Sequence, residues 1–145
     1  MPVGGFPMPF HSGFIDRDGE PRVRIEVIGE SGRGELEPLV DTGFTEFLLM
    51  PAQEARRRGI RSYGRATLIL ADGNAATVLT ASGSIQLSDS EIYRGVILLG
   101  EGAESLLGME FLRQSRKALY VDRKSVVFMD ETDIDELRLK LSPTE

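Results

Sequence analysis

Apolar side chains recur at every second position in several short runs of this chain, the period of a strand with one buried face. Val23, Ile25 and Val27 alternate with Arg22, Arg24 and Glu26, and Asp18-Gly19 just before them marks a tight turn. Residues 12–16 and 22–28 therefore read as a hairpin. Residues 29–34 read as a Gly-rich loop, and 35–40 as a further strand in which Pro38 removes a ladder donor. Phe47, Leu48, Leu49 and Met50 make a short buried strand. Residues 51–58 then predict a short helix. Pro51 suits its start, Arg56, Arg57 and Arg58 suit the last turn on a solvated face, and Gly59 can end it. Runs 66–71 and 77–81 flank Asp72-Gly73-Asn74 as a second hairpin. Residues 84–87 and 92–99 are strands. Positions 96–99 lack alternation, which predicts burial on both faces.

Farther along, residues 106–109 read as a buried strand ending in a glycine, and 109–114 as a short helix. Residues 118–121 and 126–129 pair as a last hairpin across 122–125. Residues 1–11, rich in Gly and Pro, predict an arm without regular structure, whose Phe6, Met8 and Phe10 could tuck into a groove or onto a partner. Residues 133–141 read two ways: Asp133 with Glu136 resembles a capping box, while Leu137-Arg138-Leu139-Lys140-Leu141 alternates like a strand, and the helix is the preferred reading. The sum is mainly β, a closed or folded-over antiparallel sheet with short helices and no internal repeat.

Composition narrows the chemistry. A chain of 145 residues with 41% hydrophobic content suits one domain with its own core. A net charge of −6 argues against nucleic-acid binding, which needs a basic face, and gives no attraction to an anionic membrane. The absence of Cys excludes disulfides, thiol catalysis and Cys-ligated metals. The apolar runs are too short to span a bilayer, and the first ten residues lack the pattern of a secretory signal, so a cytoplasmic location is expected. His11 is the only His, which leaves no zinc site and no Ser-His-Asp triad. The glycines of 29–34 are not followed by Gly-Lys-[Ser/Thr] or a helix, so they do not make a phosphate cradle. Residues 130–133 read as a solvated charge run in preference to a calcium site. No cofactor and no metal are expected.

The candidate chemistry sits at Asp41, Thr42 and Gly43. Leu39 and Val40 deliver a carboxylate at the end of a buried strand, and Thr-Gly turns the chain at once. The hairpin through Ala71, Asp72, Gly73 and Asn74 follows, and then Leu106, Leu107, Gly108 and Met109 lead into a short helix. This order resembles the retroviral-type, or retropepsin-like, aspartic proteases of clan AA, and is most similar to their single-lobe bacterial and archaeal members. The resemblance spans roughly residues 20–130. It implies a retropepsin-like acid protease lobe, a closed β-barrel with short helices. Residues 1–19 would then be an N-terminal arm and first hairpin strand, and 131–145 a C-terminal tail.

The resemblance also assigns roles. Asp41 would be the catalytic carboxylate, Thr42 would bond across a subunit boundary, and Gly43 would let backbone approach substrate closely. Ala71, Asp72, Gly73 and Asn74 would form a flap closing over a peptide, with Leu39 and Phe44 beside the cut. Leu106, Leu107 and Gly108 would cross beneath the Asp loop, Gly108 being small enough to allow it. The mechanism needs two carboxylates sharing one proton, and this chain has a single Asp-[Ser/Thr]-Gly, so a homodimer is expected. The hairpin over 117–129 would carry the dimer sheet. Two features depart from the viral pattern: Phe44 stands where a small residue is common, and Met109 where a polar residue would support a salt bridge. The main alternative is a catalytically inactive dimerisation or peptide-binding module of the same fold. A pure scaffold, however, has no need of a close carboxylate pair. A small β-barrel binding an apolar ligand is a weaker alternative.

Overall fold

The structure is a computed structural model and describes residues 10–87, 91–102, 104–132 and 134–135. Thirteen strands and two short helices precede the helical residues after Asp130 in the described chain. In order these are β1 (Phe10–Ser12), β2 (Phe14–Ile15), β3 (Pro21–Arg22), β4 (Ile25–Ile28), β5 (Arg33–Leu36), β6 (Leu39–Val40) and β7 (Leu48–Pro51). Then follow α1 (Ala52–Arg57), β8 (Ser62–Ile69), β9 (Ala75–Gln86), β10 (Ile92–Gly100), β11 (Leu106–Leu107), α2 (Met109–Ser115), β12 (Lys117–Val121) and β13 (Val126–Asp130).

The fold is mainly β, a sheet curled into a half-barrel. Its strands run in the order β2-β3-β6-β11-β7-β10-β9-β4-β5, with β8 added beside β9. The expectation of an antiparallel sheet fails at two places: β6 pairs β11 in parallel, and β7 pairs β10 in parallel. The cause is that β6 and β7, joined by the Asp41 loop, are not neighbours. β11 returns much later and slots between them, parallel to β6 and antiparallel to β7. A second sheet, β1-β13-β12, holds the last hairpin.

Local chemistry explains most of the elements. Asp16 accepts backbone N–H bonds from Asp18 and Glu20, both at 2.9 Å, and Gly19 takes φ +83°, which closes the β2–β3 turn. Val23, Ile25 and Val27 are fully buried, in line with their alternation. The single strand expected over 22–28 is nonetheless two, because Arg22 pairs with Leu39 while Ile25 pairs with Leu36. Residues 35–40 split likewise around Pro38, whose carbonyl accepts from Val23 N (3.3 Å) while Leu39 N reaches across to Ser105 O (2.8 Å). Helix α1 follows Pro51, carries Glu54 in its first turn and Arg56 and Arg57 in its last, and stops at Gly59, φ +69°.

Val96 departs from the expectation of two-faced burial and is 45% exposed. β10 gains its second neighbour only from Ile97 onward, where Leu48 pairs with it, so Val96 is flanked by β9 alone. Residues 10 and 11, expected in an irregular arm, form β1 by pairing with Met129 and Phe128. The other positions of that arm lie outside the described residues, as does most of the helix expected over 133–141; residues 131–132 and 134–135 are helical.

The main core runs from β4 through β7, β9 and β10 to α2 and β13, and Phe111 is its hub. The Phe111 ring meets Phe47 at 6.0 Å, Tyr93 at 5.6 Å and Phe128 at 6.4 Å, the last two edge-on. A smaller cluster of Phe44, Leu49, Val78 and Leu98 lies apart from it, with Ala66, Leu68 and Leu106 packed on.

Candidate active site

The Asp41 loop is held from three sides. Asp41 N donates to Leu107 O at 3.0 Å, its carbonyl accepts from Phe44 N at 3.1 Å, and its Oδ1 accepts from Gly43 N at 2.9 Å. The side chain is therefore locked at the rim of the sheet, half-buried, while Thr42 and Gly43 are exposed. On the far side of the loop Gly108 N donates to Phe47 O (3.1 Å), Met109 N to Phe44 O (2.8 Å) and Glu110 N to Glu46 O (3.2 Å). A Cβ on Gly108 would lie 2.2 Å from Glu46 O and 2.6 Å from both Phe44 O and Phe44 Cδ2. Only glycine allows this crossing.

The remaining site residues separate into two groups. Leu39 lies in register with Leu106, and Leu107 with Val40, so these four form the floor behind Asp41. Phe44 is 8% exposed and packs into the smaller apolar cluster, turned into the protein. Ala71, Asp72, Gly73 and Asn74 form the tip of the β8–β9 hairpin and are all exposed. Gly73 takes φ +86°, and Asp72 fixes the turn by accepting from Asn74 N (2.9 Å) and Asn74 Nδ2 (3.0 Å). The hairpin arms pack against the body of the lobe through Ala66, Leu68 and Val78, which join Phe44, Leu49, Leu98 and the floor residue Leu106 in one cluster.

Beside this contact is a pocket of about 510 Å³ between the β9 arm and the end of β10. Leu49, Leu68, Val78 and Leu99 supply its apolar wall. Glu101 and Glu104 are its only charged lining residues among those described. Asp41 does not line it. Leu49 is in register with Leu106, and Leu106 with Leu39, which places the pocket two strands from the Asp41 strand.

Sequence reasoning missed these lining residues because it put weight on the turn and not on the arms. The signal was present, since Leu68 and Leu70 stand two residues apart in one apolar run. It also missed Arg22, which donates to Asp16 Oδ2 (2.6 Å), Glu37 O (3.0 Å) and Glu104 Oε1 (3.1 Å), tying the first hairpin to the loop before β11. That contact, with the N–H groups of Asp18 and Glu20, holds the Asp16 carboxyl below its ordinary range. Among the described residues no group of His, Cys, Asp and Glu could hold a metal ion. No described helix is long and apolar enough to cross a membrane.

A family model described as "gag-polyprotein putative aspartyl protease" matches residues 30–114, which takes in the Asp41 loop, the hairpin and β11. The chain belongs to this aspartyl protease family. Among solved structures it is similar to a retropepsin-like aspartic protease from Rickettsia conorii, at 16% identity and a TM-score of 0.55, over 90% of this chain and 98% of that one. The fold is thus that of a single retropepsin-like lobe. No curated protein matches the sequence.

Proposed function

We propose that this protein is an aspartic endopeptidase whose active site forms on the two-fold axis of a homodimer, each copy bringing one Asp41. The observation that carries the reading is the Asp41 loop itself, a carboxylate fixed at the sheet rim by Leu107 and Gly43, in a lobe whose β8–β9 hairpin packs on Phe44 of the same loop. Across the axis the two carboxylates share one proton, as in aspartic protease dyads generally. The ionised one takes a proton from a water, which attacks the scissile carbonyl. The protonated one donates to that carbonyl's oxygen. The tetrahedral adduct collapses when the amine leaves with a proton, and the C–N bond is cut. The substrate lies as a strand between hairpin and floor, where Leu39 favours apolar side chains at the cut.

The exposed edge of β12, with Tyr120 50% and Val121 43% exposed, supports a sheet continued between copies. The test is digestion of a mixed peptide library across pH by wild type and Asp41→Asn, with solution mass measured for both. Cleavage lost in a dimeric Asp41→Asn protein supports the proposal. Cleavage that survives the substitution, or full activity in a strict monomer, refutes it. A dimer that binds peptides without cutting them identifies the inactive module instead.

A further inference from the structure

Resting on the peptidase reading, we infer that the pocket between the β9 arm and the end of β10 is a specificity subsite for a cationic, long-stemmed side chain, Arg or Lys, of the substrate peptide. An apolar side chain alone would be served by the wall of Leu49, Leu68, Val78 and Leu99. The pocket differs from a purely apolar one at its rim, where Glu101 and Glu104 are the charged lining residues and both are exposed. Arg and Lys match that division: a methylene stem lies along apolar surface while the charged head stays at the wet edge.

Arg22 does not cancel this rim. It reaches Glu104 at 3.1 Å but bonds Asp16 at 2.6 Å, so one cation faces two carboxylates there before Glu101 is counted. The Glu104 side chain remains 57% exposed and keeps room for a second donor. The chain's net charge of −6 favours approach of a basic peptide in the same sense.

The register also sets where in the peptide the cation falls. Two strand spacings separate the pocket wall from the Asp41 strand, about 10 Å. At about 3.3 Å per extended residue that is about three residues from the cut bond. Arg or Lys is therefore selected about three positions away.

The test uses the full-length protein and two peptide sets that differ only three residues to either side of the cut, carrying Arg or its uncharged counterpart norleucine. Wild type is expected to prefer Arg at one of the two positions by about tenfold in kcat/KM, the scale of one charge-assisted pair. Glu101→Gln is expected to shrink the ratio, Glu101→Lys to invert it, and added salt to weaken it. Glu101 is exposed and stands outside the Arg22 contact, so these variants keep the fold. Cleavage without any Arg preference at either position overturns the inference and leaves the peptidase reading intact. Binding of labelled peptides to Asp41→Asn protein separates the other case. Arg-selective binding with no wild-type cleavage defeats the peptidase reading while upholding the subsite, and binding of no peptide defeats both.

Discussion

Gly108→Ala is the sharpest test of how this lobe holds its carboxylate. The new methyl would start 2.2 Å from Glu46 O, whereas an ordinary carbon–oxygen contact is about 3.3 Å, so loop and β11 must part by about 1 Å. The obstacle is backbone on a loop held by Asp41 N to Leu107 O and Met109 N to Phe44 O, and no rotamer relieves it. Overpacking of this kind costs about 1–3 kcal/mol. Loosening one or two of the flanking hydrogen bonds adds about 1 kcal/mol each, for a total of about 2–5 kcal/mol. A displacement of that size at a catalytic group costs about 100-fold in rate. Urea unfolding and kcat/KM on a cleaved peptide read the two effects, with Gly19→Ala as control. Gly19 has φ +83° but open space within 4 Å of where a Cβ would stand, so its alanine costs about 1–2 kcal/mol of backbone strain and leaves turnover unchanged. A Gly108→Ala protein as stable as the control and within about twofold of wild-type turnover would refute the reasoning.

Three further outcomes follow from the packing and the charges. Phe111→Ala removes a fully buried ring that touches Phe47, Tyr93 and Phe128, and should cost about 3–5 kcal/mol in urea unfolding; a loss below about 1 kcal/mol would show that the core does not centre there. Burial, chiefly, holds the His11 imidazole below its ordinary 6.5, with the Lys117 charge acting the same way and the hydrogen bond with the Arg24 backbone opposing both. The unfolded chain then takes up a proton first as pH falls, so stability is full above about 6.5 and declines below it; His11→Gln should flatten the slope between about pH 7 and 5, and an unchanged slope counts against it. Val121→Lys on the exposed end of β12 should lower the solution mass of the proposed dimer toward that of one chain at micromolar concentration, and an unaltered mass would move the interface elsewhere.

What the sequence made legible was local. Asp18-Gly19 and Asp72-Gly73 each mark a turn whose glycine has positive φ, and the alternation of Val23, Ile25 and Val27 tracks burial residue by residue. Pro51 and Gly59 bracket α1 because one fixes φ for a start and the other permits the stop. What stayed hidden depends on distant partners. β6 and β11 are two residues each, and their parallel pairing comes from where β11 lands, which no local pattern records. β1 holds one apolar residue in three and exists because β13 offers it an edge. The candidate site followed the same division. Motif order pointed to Asp41 and Gly108, which the fold places on one loop and the strand end that crosses it, whereas the neighbouring pocket gathers Leu49, Leu68, Val78 and Leu99 from four strands.

That division bears on how one lobe of the proposed peptidase would be both rigid and able to admit a peptide. The carboxylate's position depends on β6, β11 and the Gly108 crossing, which border the main core through Val40 and Leu107. The base of the hairpin is anchored in the main core through Ala81 and Ile85 of β9, but its distal part depends on a different and smaller set, Phe44, Leu49, Val78 and Leu98, and β8 has β9 as its one strand partner among the described residues. Opening the distal part of the hairpin therefore exposes a satellite cluster and leaves the main core packed, and local openings of this kind lie at the low end of a protein's stability range. Phe44 stands at the junction: its ring belongs to the satellite cluster while its backbone bonds the Asp41 loop. A small residue there would leave the loop to the backbone alone. In the proposed peptidase the large ring would let hairpin closure press on the same residue that helps hold the Asp41 carboxylate, coupling admission of substrate to its alignment.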